Sequence, residues 1–155
     1  MFDPVFSRIL VAYDGSEPSK NALEIAARMA TIFKGEIIIL TAVPPQTFPV
    51  FPTNGYSGVP PITTQYNYLD RIKELYQKAL DEAETHVKNT YPGLKLEKVL
   101  REGRPSALIV EEADKKGADL IIMGNRGLGG ISGWILGSTS RRVVDHCTKP
   151  ILVVK

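Results

Sequence analysis

The sequence predicts an α/β fold: one three-layer domain, residues 1–155, in which a five-stranded parallel sheet carries helices on both faces. Three observations predict it. Short β-branched apolar runs alternate strictly with segments of helical periodicity. The second of those runs, EIIILTAV, is apolar on both faces, as a strand covered from two sides must be. A length of 155 residues supplies one core rather than two.

The elements follow in order. Residues 8–13 (RILVAY) form a buried strand ended by Asp14-Gly15. A helix opens next, capped by Ser16 or Asp14, with Pro18 in its first turn where a missing N–H costs nothing. Its apolar stripe reads Ala22, Ile25, Ala26, Met29 and Ile32, and Gly35 stops it. Residues 36–43 form the second strand. Residues 63–89 form a long amphipathic helix with Leu69, Ile72, Leu75, Tyr76, Leu80, Ala83 and Val87 on its apolar face. Strand 95–101, helix 106–116 ended by Gly117, strand 120–123, helix 138–147 and strand 151–154 complete a Rossmann-like arrangement.

Composition excludes several classes. The net charge of +2 comes with no basic stripe, so nucleic acid is not an expected partner. No apolar run approaches the roughly 20 residues of a membrane span, and the N-terminus leads into none of leader length, so neither membrane nor secretion is expected. Cys147 is the single cysteine, which excludes an internal disulfide and fits a reducing cytoplasm. His146 and Cys147, being adjacent, point to different sides of a helix, and no metal pair is expected there.

The unusual backbone is concentrated in two places. Six of 13 glycines fall within residues 124–137, and six of 11 prolines within 44–61. The proline cluster is a loop of about 18 residues, longer than an ordinary connection. Its Phe48, Phe51 and Tyr56 suit a lid, a partner surface or local cover equally. The glycine cluster is more informative. Ligands in parallel sheets bind beyond the carboxyl ends of strands where the strand order reverses. With order 3-2-1-4-5, which is chosen for this fit, Asp14-Gly15-Ser16 and Gly124-Asn125-Arg126-Gly127 flank that point.

Named phosphate motifs fail here. A GxGxxG from Gly127 meets Ser132, and no lysine between Lys116 and Lys149 can complete a Walker pattern. What remains is a glycine-rich approach ending at Gly137-Ser138-Thr139 on a helix N-terminus, where free N–H groups and the positive dipole end favour an anion and Arg126 adds charge. With no Walker lysine and no obvious base, the site suits holding a ligand rather than fast hydrolysis. A plainer reading makes Asp14, Ser138 and Thr139 helix caps, and Met123 a core residue.

On these residues the sequence resembles the universal stress protein family over nearly its whole length. The likeness rests on Val11-Ala12-Tyr13-Asp14-Gly15-Ser16, on Gly103-Arg104-Pro105, on Asp119 to Gly124 (DLIIMG), and on Lys149-Pro150 with the last strand. Most specific is the spacing Gly124-x2-Gly127-x9-Gly137-Ser138, which looks like the family's ATP-binding signature. The resemblance implies that Asp14 lies near adenine and ribose with Ala12 beside it, that Val43 packs against adenine, and that Met123 and Gly124 line base and ribose. It implies a phosphate cradle of Arg126, Gly127, Gly137, Ser138 and Thr139, with or without Mg²⁺, and homodimers paired through Ile151 to Val154. The expected function is an ATP-binding, nucleotide-dependent switch. A slow ATP hydrolase and a partner-binding module with a vestigial nucleotide site are the alternatives.

Overall fold

The computed structural model describes residues 5–47, 62–128 and 136–155. Nine elements alternate as expected: β1 (Arg8–Ala12), α1 (Glu17–Phe33), β2 (Glu36–Val43), α2 (Ile62–Thr90), β3 (Lys95–Glu102), α3 (Pro105–Lys115), β4 (Leu120–Gly124), α4 (Ser138–His146) and β5 (Ile151–Val154). All neighbouring strands pair in parallel, in the order β3-β2-β1-β4-β5. The order expected from the ligand argument is the order found.

Alternation along the strands divides the interior into two cores. Ile9 and Val11 of β1, Ile37 and Ile39 of β2, and Leu120 and Ile122 of β4 meet the alanine-rich face of α1 and Leu80, Ala83 and Val87 of α2. Their neighbours Leu10, Ile38, Leu40, Ile121 and Met123 meet Ile109 and Ala113 of α3 and Val143 of α4 on the opposite face. Each of these strand residues is almost wholly buried, and each large aliphatic side chain so buried contributes about 1.5–3 kcal/mol.

Two expected stripe positions differ. In α1 the buried arc runs through Ser19, Ala22, Leu23, Ala26, Ala27 and Ala30. Small residues let the helix lie close to the sheet, and Ile32 falls outside that arc at 75% exposure. In α2, Leu80, Ala83 and Val87 are buried, but Leu75 is exposed. The lower half of α2 is the part that meets the first core.

The two edges of the sheet are unlike. β3 presents Lys95, Glu97, Lys98 and Arg101, a charged edge that discourages further pairing. β5 presents Ile151, Leu152, Val153 and Val154, with Leu152 among the exposed large apolar residues of the surface. No helix among the described residues is long and apolar enough to cross a membrane.

Candidate functional site

The carboxyl end of β1 sets one wall. Tyr13 continues the strand by donating its N–H to the Leu40 carbonyl (2.9 Å), and its own carbonyl accepts the Thr41 hydroxyl (2.9 Å). Ser16 is the N-cap of α1, with its Oγ accepting the Ser19 N–H at 3.4 Å. Asp14 braces the turn before it: its Oδ1 accepts the Ser16 N–H at 2.9 Å. The choice between the two caps therefore resolves to Ser16, and the other Asp14 oxygen is available for a different contact.

That contact comes from the loop after β4. The Leu128 N–H donates to Asp14 Oδ2 at 3.0 Å, joining two turns that are 114 residues apart in sequence. Gly124 lets the first turn of α1 rest on the end of β4, since a Cβ there would stand 2.7 Å from the Pro18 Cβ. Farther on, the Gly137 N–H donates to the Asn125 carbonyl at 2.7 Å. The Ser140 hydroxyl lies 2.9 Å from the same carbonyl and 3.1 Å from that of Gly137. These bonds fix where α4 starts. Gly137 is its N-cap and offers no side chain to the first N–H groups of the helix.

Between these walls lies a cavity of about 230 Å³. Of the site residues expected from the sequence, it brings together Ala12, Asp14, Met123, Gly124, Arg126, Gly127, Gly137, Ser138 and Thr139. Val43 is not in its wall. Strand alternation turns Ala42 to the cavity together with Leu40, and Pro44 follows beyond the strand end. Val43 is buried, and its carbonyl accepts the Gly103 N–H at 3.0 Å.

The wall also holds residues that the sequence did not single out for the site. Tyr76 of α2, Pro105 and Ile109 of α3, and Leu40 of β2 enter from three elements. Pro105 had a signal, since it belongs to Gly103-Arg104-Pro105, and Leu40 shares the parity of Ala42. Tyr76 had none beyond its helical stripe.

Chemically the cavity has two ends. Ala12, Leu40, Ala42, Ile109 and Met123 make an apolar slot, while Arg126, Ser138, Thr139 and the start of α4 make a donor-rich end. Burial, and then the charge of Asp14, push the Tyr76 hydroxyl up from its ordinary value. Burial does the same to Tyr13, with Lys20 opposing it. Among the described residues no group of three or more His, Cys, Asp or Glu side chains could hold a metal ion. A flat apolar group joined to an anion fits this arrangement. The slot takes the first, and the uncapped helix start with Arg126 takes the second.

Comparison with known proteins gives the family and matches the fold. The universal stress protein YxiE of Bacillus subtilis is 30% identical over 155 residues, covering 97% of this chain and 100% of that one. The universal stress protein UspA from Lactobacillus plantarum has the same fold, with a TM-score of 0.79 at 22% identity over 97% of this chain and 98% of that one. A universal stress protein solved in complex with cAMP superposes with a TM-score of 0.63 at 28% identity, covering 96% of each chain. The model of the universal stress protein family matches residues 6–155, and the chain belongs to that family.

Proposed function

We propose that this protein binds an adenine nucleotide, ATP in the first instance, and works as a nucleotide-dependent switch in the ATP-binding branch of its family. The observation that carries the reading is the start of α4. Its N-cap is a glycine without a capping side chain, and the helix opens into the cavity beside Ser138, Thr139 and Arg126. Backbone N–H groups left in this way are stabilised by an anion, and a phosphate supplies one. The apolar slot suits an adenine ring, and Asp14 lies at the junction where the ribose would be. Mg²⁺, where used, would come with the phosphates. A similar protein solved with cAMP supports the adenine class.

The same reading pairs two copies through β5, whose apolar edge would otherwise remain open. Calorimetry of nucleotide-free protein with ATP and Mg²⁺ tests the nucleotide. Saturable heat supports it, and no binding at millimolar ATP overturns it.

A further inference from the structure

Gly127 is the second glycine of the nucleotide signature, and its backbone does not explain it. The described glycines with positive φ are Gly15, Gly93, Gly103 and Gly117, so Gly127 holds a conformation open to other residues. What excludes a side chain there is one group. A Cβ on Gly127 would stand 2.5 Å from Asp14 Oδ2, and its next neighbour, the Asp14 Cγ, is 3.8 Å away. That oxygen is not free to move aside. It accepts the Leu128 N–H at 3.0 Å while its twin accepts the Ser16 N–H at 2.9 Å. Charge-assisted bonds of this kind are roughly twice as strong as neutral ones.

We propose that Asp14 is a positioning residue for the phosphate end of the cavity: its carboxylate latches the turn at residues 126–128 to the end of β1, and Gly127 leaves room for that latch. The inference rests on the nucleotide reading above and adds a division of labour to it. Arg126 lines the donor-rich end, one residue before Gly127, so its backbone is set by the latch. The carboxylate then acts on phosphate binding through the turn, rather than mainly through the sugar.

The test is a ligand series combined with a double-mutant cycle. Asp14→Asn, which keeps the size of the side chain but removes its charge and leaves one acceptor oxygen for the two N–H donors, is measured by calorimetry with ATP and with adenosine. The ATP affinity is expected to fall at least tenfold more than the adenosine affinity. Equal losses overturn the proposal, since a direct sugar contact serves both ligands alike. Gly127→Ala is expected to weaken ATP at least tenfold in the wild-type background and less than threefold beside Asp14→Ala, where the obstructing oxygen is gone. Additive losses also overturn it. Amide hydrogen exchange at Leu128 without nucleotide judges the latch by itself. Faster exchange in Asp14→Ala, which has no acceptor left, supports it, and unchanged exchange refutes it even if the wild-type protein binds no ATP.

Discussion

Arg101 of β3 places its guanidinium on the carboxylate of Glu112 in α3, a side chain only 1% exposed. Lys115 stands 3.8 Å from the same carboxylate oxygen, and the other oxygen has no hydrogen-bond partner among the described residues. A carboxylate so buried depends on Arg101. Arg101→Met is expected to cost about 3 kcal/mol, the low end for breaking a buried pair because the arginine itself is partly exposed. Adding Glu112→Leu should recover most of that loss, because replacing both partners removes the stranded charge. Urea denaturation of the wild type and the two variants measures it. A double variant no more stable than Arg101→Met would disprove the dependence.

Acid should weaken the join between α2 and β3. Hydrogen bonds from Lys98 and Gln77 hold the Asp81 carboxyl below its ordinary value, and bonds from Lys88 and Lys98 do the same to Glu84. Glu24 is lowered chiefly by the Tyr91 hydroxyl. Groups with depressed folded values contribute stability that is present above their unfolded values and is lost as pH falls through the folded ones. Denaturation midpoints should therefore drop from about pH 5 downward. In Lys98→Met that drop should be shallower, since two of the three acids have lost a partner. Identical acid limbs in the two proteins would contradict this.

Stability and binding should separate at Gly137. An aspartate there would cap the first N–H groups of α4 with its own carboxylate. Its Cβ would sit 3.3 Å from the Asn125 carbonyl, a tight contact that offsets part of the gain. Gly137→Asp should change folding stability by less than about 1 kcal/mol. ATP affinity should fall about tenfold or more, equivalent to about 1.4 kcal/mol, because the carboxylate takes the place of a phosphate. Unchanged affinity would move the anion away from α4.

The β5 edge makes a prediction about mass. Light scattering at micromolar concentration should give a dimer for the wild type and a monomer for Leu152→Lys, with circular dichroism unchanged. Leu152 is 37% exposed, so its replacement leaves the core intact. A wild-type monomer would exclude the β5 pairing.

How much could be read beforehand depended on how local each cause was. Every strand and helix was legible, because alternation and helical period are written within one element. Ser138 and Thr139 were legible for the same reason, as they follow a glycine at a helix start. Ile32 was misplaced because α1 buries its alanines, a choice set by how close the helix lies to the sheet. Tyr76 and Ile109 join the cavity only after α2 and α3 have folded onto opposite faces of the sheet, and no local pattern marks them. The bond from Leu128 to Asp14 spans nearly the whole chain and leaves no trace but a missing side chain at Gly127. The aromatic residues expected in the proline-rich loop, with Gly129, Gly130, Gly133 and Trp134, lie outside the described residues.

The two-sided sheet also divides the freedom to redesign this protein. Leu40, Ile109 and Met123 are at once core and cavity wall, so changing their bulk alters fold and site together. On the other face, among the described residues, only Tyr13 has that double duty. Ile9, Val11, Ile37, Ile39, Leu120 and Ile122 are thus the positions where an engineer can trade one aliphatic shape for another to raise thermal tolerance without redrawing the cavity.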